Sequence, residues 1–175
     1  MVRTLTRVTI HDLDAARARG LADRIGDELG LPVDVASAIA PTARESDVII
    51  TCTTARAPLL FRDFVAPGTF VAAVGADHAS KQEIDPILVA AARCFVDSPE
   101  QALASGELHH AVAAGAMAPG AIAGRLDELV TGAVTGRQSA DEITLFDSVG
   151  IALEDAAAAF AAYERWESAG QDEAP

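Results

Sequence analysis

A chain of 175 residues, half of them hydrophobic and 22% charged, has the bulk of one globular domain with a sizeable core. Its formal charge of −13 repels phosphate backbones and anionic bilayers, so neither nucleic acid nor a membrane is an expected partner. No basic segment precedes an apolar one and no apolar run reaches membrane-spanning length, so the expected location is cytoplasmic.

In chain order, residues 6–11 (TRVTIH) alternate and are β-branched, which predicts a strand ending at Asp12. Asp14 can cap a following helix that carries Ala15, Ala18, Leu21, Ala22, Ile25 and Leu29 on one face and stops at Gly30. Residues 32–36 read as a short strand, 41–46 as a helical turn and 48–52 as a strong strand. Residues 53–67 read as loop, 70–74 as a buried strand, 84–92 as a helix and 94–97 as another strand. Ser98 before Pro99 starts a helix, residues 107–137 hold two short ones, and 143–146 form the last strand. A long helix over 149–166 carries Leu153, Ala156, Ala157 and Phe160 on one face. Strands separated by helices of this size give βα units and a mostly parallel α/β sheet. Only 5% of residues are aromatic, so alanine and branched side chains must fill the core. Cys52 and Cys94, the only cysteines, read as buried reduced thiols.

Open α/β sheets bind ligands beyond the carboxyl ends of their strands. Four such ends carry suggestive residues: Asp12; Thr51, Thr53 and Thr54; Gly75 to Asp77; Asp147 and Ser148. Asp12 and Asp14 are either helix caps or, for Asp12, a carboxylate for ribose hydroxyls. Gly75 permits close approach to the strand end, and Asp77 is either a turn residue or an acid–base group. Lys81 and His78 are equally compatible with solvated surface. His109 and His110 are adjacent with no third ligand at metal spacing, so no metal site is expected.

AVGADHASKQEID at 73–85, followed by DEITLFDSVGIALEDAAAA at 141–159, resembles the ornithine cyclodeaminase and mu-crystallin family. Val74, Gly75, Ala76, Asp77 and Lys81 match its pattern, while Ala79 and Ser80 replace its Pro-Gly pair. VTIHDLD at 8–14 is similar to the strand that carries the ribose-binding acid, and TCTTARAPLLF at 51–61 to the fourth-strand turn. The resemblance implies an incomplete Rossmann-like doubly wound sheet over residues 1–167, with 168–175 a disordered tail. It implies NAD as cofactor, NADP being the alternative that Asp12 disfavours, and hydride transfer at Cα of an amino acid or cyclic imino acid. Asp77 is implied as the catalytic acid–base residue. Asp12, Thr53, Val74, Gly75, Ala76, Lys81 and Ser148 are implied as cofactor contacts, and Asp77 and Val149 as substrate contacts.

No Gly-x-Gly-x-x-Gly occurs in the chain, although a dinucleotide fold places that fingerprint about 20 residues before the ribose acid. The central strand of the 3-2-1-4-5-6 order and most of a substrate domain are therefore expected to lie outside this sequence. The strand at 6–11 should then pair directly with the one at 47–52, or a partner chain should fill the gap; the expected assembly is a homo-oligomer or one with a complementing chain. Weak or no turnover is expected of the chain alone, and a non-catalytic remnant or small-ligand and partner-binding module is the alternative.

Overall fold

The computed structural model describes residues 4–171. Strand β1 (Val8–Ile10) ends two residues before Asp12, whose Oδ1 accepts the Asp14 N–H at 2.7 Å. Asp14 caps helix α1 (Ala15–Leu29) by accepting from the N–H groups of Ala16 and Arg17, donors that a first helical turn leaves unpaired. Gly30, at φ 62°, closes that helix in the left-handed region. Strand β2 (Val33–Val35), helix α2 (Ile39–Arg44), and strands β3 (Val48–Thr51), β4 (Arg56–Leu60), β5 (Phe70–Ala73) and β6 (Gln82–Ile84) come next. Helix α3 (Pro86–Ala91), strand β7 (Arg93–Val96), helices α4 (Pro99–Ser105) and α5 (Glu107–Ala113), and strand β8 (Gly124–Arg125) follow. Helix α6 (Leu126–Thr131), strand β9 (Thr144–Asp147) and helix α7 (Ala152–Gln171) complete the described chain.

Five strands form one parallel sheet in the order β3-β5-β9-β7-β8. Side chains alternate between its faces. One face presents Ile49, Val71, Ala73, Cys94, Val96 and Leu145 to Leu88, Val89, Ala102, Leu108 and Ala111 of the helices, and this is the core. The other face is uncovered at β3, where Val48 is 39% and Ile50 69% exposed.

Several expectations need correction. Among the described residues β1 pairs only with β2, in a separate parallel ladder, and does not pair with β3. Cys52 is exposed, because it continues the alternation of Val48 and Ile50 onto the uncovered face; Cys94 is buried. Burial raises the Cys94 thiol pKa far above its ordinary value, with a smaller push from the Asp147 carboxylate. One thiol per native chain is therefore expected to react rapidly with a maleimide, and a second only in denaturant; two fast thiols would contradict this burial pattern.

The segment expected as loop contains β4, which pairs with β6 across an irregular register. Pro58 removes one ladder donor and masks the strand in the sequence. β6 in turn takes residue 84 out of the expected helix, so α3 begins at Pro86. The last helix runs from Ala152 to Gln171, so residues 168–171 are helical and 172–175 lie outside the described residues. From 152 to 168 its residues are exposed all round, including the face expected to be apolar and packed. Among the described residues no helix is long and apolar enough to cross a membrane.

Candidate functional site

The ladder register lines up Thr51, Ala73, Asp147 and Val96 across four adjacent strands. Thr53, Gly75–Asp77, Ser148 and Asp97 therefore leave the sheet along one carboxyl edge. What fastens these loops is a chain of buried or part-buried carboxylates, each accepting backbone N–H groups from the next segment. Glu83, fully buried, accepts the Thr53 N–H at 2.6 Å and the Gly75 N–H at 3.0 Å. Glu107, also fully buried, accepts the N–H groups of Glu83 and Ile84 at 2.7 and 3.1 Å. Asp147 accepts those of Glu107 and Leu108 at 3.1 and 2.9 Å, at the start of α5.

Asp97 ends the series, its Oδ2 accepting from the Ser148 hydroxyl and from the Val149 and Gly150 N–H groups at 3.1, 2.9 and 2.8 Å. A charged acceptor buried with two donors is held by charge-assisted bonds, while burial itself disfavours the charge. Burial accordingly lifts the Glu107 carboxyl to about 8 and the Asp147 carboxyl to about 6, against the lowering effect of the N–H donors.

Gly75 is small for a reason the sequence does not display. A Cβ at that position would lie 2.5 Å from the Glu83 carboxylate. A Cβ at Gly106 would likewise meet Asp147 Oδ2 at 2.5 Å. Gly75 and Ala76 are both buried, so the exposed groups of this turn are the Val74 side chain and Asp77. The Asp77 carboxylate pairs with Lys81 Nζ at 2.5 Å, and the two side chains are 58% and 25% exposed. That contact with Lys81 holds the Asp77 carboxyl below its ordinary range, so the group is ionised at neutral pH. The turn is braced locally by the Ser80 N–H on His78 Nδ1 and by His110, whose Nε2 bonds the Lys81 carbonyl at 2.7 Å. One of the two histidines set aside as poor metal ligands thus positions the loop that carries Asp77.

Thr53 is exposed, with its hydroxyl accepting the Ala55 N–H. Ser148 and Val149 are half-buried and tied to Asp97. Asp12 stands apart: it follows the separate β1–β2 ladder, and its carboxylate accepts the Asp14 N–H rather than bonding any described group of the carboxyl edge. The hydroxyl of Thr51, at the edge itself, is buried without a partner among the described residues. An open concavity of about 420 Å³ lies elsewhere, beside the amino ends of β7 and β9, lined by Arg93, Cys94, Ala121–Ala123 and Glu142. Among the described residues no three His, Cys, Asp or Glu groups are placed to hold a metal ion. Sequence reasoning missed Glu83, Glu107 and Asp97 as a connected set. Their signal is faint: acids beside glycines at 75 and 106, far apart in the chain.

Parallel strands whose acid- and glycine-bearing loops gather on one carboxyl edge define a Rossmann-like α/β domain. Comparison makes the assignment specific: residues 1–170 match the ornithine cyclodeaminase/mu-crystallin family, and the chain belongs to it. The iminosuccinate reductase of Paracoccus denitrificans is 42% identical over 137 residues, covering 78% of this chain and 42% of that protein. The structure of Thermococcus litoralis Delta(1)-pyrroline-2-carboxylate reductase in complex with NADH and L-proline is similar with a TM-score of 0.93 at 31% identity, over 97% of this chain and 53% of that one. An archaeal alanine dehydrogenase dimer with bound NAD gives a TM-score of 0.87 at 33% identity, over 95% of this chain and 51% of that one. The chain spans about half the length of the curated relatives it matches.

Proposed function

We propose that this chain forms one wall of a nicotinamide-dinucleotide site in an enzyme that transfers hydride at Cα of an amino acid or cyclic imino acid. The observation that carries the reading is the carboxyl edge itself, where Thr53, Val74–Asp77 and Ser148 leave neighbouring parallel strands with an ionised acid at the rim. The relatives support it: a reductase in complex with NADH and L-proline superposes over 97% of the chain.

The residues present fit one half of the cofactor. Asp12 Oδ2 has no hydrogen-bond partner among the described residues and can take ribose hydroxyls, and a carboxylate there disfavours a 2′-phosphate, so NAD is preferred to NADP. Thr53, the exposed side of Val74, the backbone at Gly75 and Ala76, and Ser148 supply the surface for the nicotinamide end, with Lys81 beside it. When bound, that ring accepts or returns the hydride. Asp77 holds or moves the proton at the substrate nitrogen, Lys81 keeps it ionised beforehand, and Val149 borders the substrate. The glycine-rich amides that would hold a pyrophosphate are not among the described residues, so affinity by this chain alone is weak.

The exposed apolar groups of α7, Leu153, Phe160, Tyr163 and Trp166, support self-association, since such a row on an isolated helix is an interface surface.

Calorimetric titration with NADH and NAD+ tests the reading. Weak binding is expected, and Asp12→Ala should weaken it further. In the assembled enzyme Asp77→Asn should leave cofactor affinity unchanged while cutting turnover by about 10²–10⁴-fold. No heat at millimolar cofactor would leave the chain a non-catalytic, partner-binding module.

A further inference from the structure

Asp77 and Lys81 are four residues apart, a spacing that a helix closes by itself. No helix spans them, and residues 77–81 run through bends and a turn. Within that stretch the one described backbone bond runs from the Lys81 N–H to the His78 carbonyl at 2.8 Å. The contact between Lys81 Nζ and the Asp77 carboxylate therefore depends on what fixes the two ends of the stretch.

At the amino end Glu83 accepts the Gly75 N–H at 3.0 Å, and Gly75 and Ala76 are buried. At the carboxyl end the holder is helix α5. Glu107 accepts the N–H groups of Glu83 and Ile84, and His110 Nε2 bonds the Lys81 carbonyl at 2.7 Å. Glu107 and His110 are three residues apart and so share one face of the helix. The helix is seated in turn by Asp147, which accepts the N–H groups of Glu107 and Leu108. Of the three contacts from α5, only that of His110 is made to Lys81.

A carbonyl oxygen can only accept, so His110 Nε2 carries a hydrogen. The neutral ring in that form and the protonated ring both donate from Nε2. The hold thus persists through the titration of His110, which has Glu107 on its own helix face and the His109 ring centroid 5.1 Å from its own. His109 does not share the task, since its Nδ1 bonds the Leu103 carbonyl at 3.0 Å.

We propose that His110 is the positioning residue of the Asp77–Lys81 pair: its Nε2–H fixes the Lys81 backbone so that the ammonium meets the carboxylate. The consequence for turnover rests on the reading of Asp77 as the group that holds or moves the substrate proton. Lys81 is the chief cause of the lowered Asp77 carboxyl, through its hydrogen bond and its charge, and His78 adds a weaker push in the same direction. Loss of the hold should therefore show as a rise in the Asp77 titration midpoint.

NMR titration of the Asp77 carboxyl in the chain alone tests this. Lys81→Met sets the full effect, a rise of roughly 0.2–0.7 pH unit for an exposed pair of this kind. His110→Phe keeps a ring and removes the donor, and should reproduce most of that rise. His110→Gln, whose amide can donate to the same carbonyl, should restore the parent midpoint, and His109→Gln should leave it unchanged. A parent-like midpoint in His110→Phe would overturn the proposal, as would the absence of any rise in Lys81→Met. Nitrogen NMR of the unaltered chain needs no variant: neutral His110 should carry its hydrogen on Nε2, and the Nδ1–H form would equally overturn the proposal. In the assembled enzyme His110→Phe should lower kcat on the order of ten-fold with cofactor affinity unchanged, and His110→Gln should restore it. An unchanged kcat in His110→Phe, where Asp77→Asn lowers it, counts against the proposal. An Asp77→Asn enzyme that turns over like the parent would instead remove the reading of Asp77, leaving the titrations and the placement by His110 standing.

Discussion

Glu83→Ala is expected to lower the thermal midpoint of the isolated chain by roughly 5–15 °C. The Glu83 side chain is completely buried and accepts two backbone N–H groups, those of Thr53 and Gly75. Removing it leaves one buried and one part-buried donor unpaired, each costing up to about 1–3 kcal/mol, so the sum is at most about 2–6 kcal/mol. For a domain of this size each kcal/mol moves the midpoint by about 2–4 °C. Glu83→Gln should cost less, because its amide oxygen still accepts one bond while its NH2 group opposes the second donor. Gly75→Ala attacks the same arrangement from the other partner, since the new Cβ would stand 2.5 Å from the carboxylate. Hydrogen exchange identifies the cause: in Glu83→Ala the Thr53 and Gly75 amides should exchange faster than the Val71 amide, which lies inside β5. A melting point within 2 °C of the parent would show that the two donors find other acceptors, and that Glu83 does not fasten the edge.

The strands and the capped first helix are legible because their signals are local. Alternation marks β1, Asp14 and Gly30 bracket α1, and unbroken apolar runs mark β3, β5 and β7. β4 and β6 are not legible, since each is short, one contains Pro58, and what holds them is long-range: their mutual pairing across about 25 residues and the Glu107 carboxyl on β6. The failed pairing of β1 with β3 has a related cause. Edge complementarity depends on the spacing between two ladders, which no local pattern records.

At the site, Asp77 and Lys81 read only as separate features, an acid–base group and a cofactor contact or solvated lysine, although their contact has local i, i+4 spacing. The reason for Gly75 is not legible, because it rests on a carboxylate eight residues on whose side chain turns back under the strand end. Cys52 reads as buried because the run around it is apolar. Its exposure follows from the absence of any described element over that face.

The buried carboxylates also fix how stability responds to pH. In the folded chain Glu107 titrates at about 8 and Asp147 at about 6, both raised chiefly by burial from ordinary values of 4.5 and 3.8. Each native group therefore holds its proton over a range where the unfolded chain has released it. The unfolded state then binds fewer protons than the native state, and stability falls as pH rises. The contribution is fully present below about pH 4, the Asp147 share is lost by about pH 6, and the Glu107 share continues to fall to about pH 8. Each group changes stability by about 1 kcal/mol per pH unit within its window, which corresponds to roughly 3 °C per unit for this size of chain. Asp77 acts in the opposite sense, its carboxyl being lowered by Lys81, but its window lies at or below its ordinary value of 3.8 and outside this range. The thermal midpoint should thus decline steadily between pH 5 and pH 8. Glu107→Gln, which cannot ionise, should abolish the decline above pH 6 and leave the portion belonging to Asp147. A midpoint that rises with pH across this interval would mean that the N–H donors from Glu83, Ile84 and Leu108 outweigh burial, with both carboxylates charged throughout.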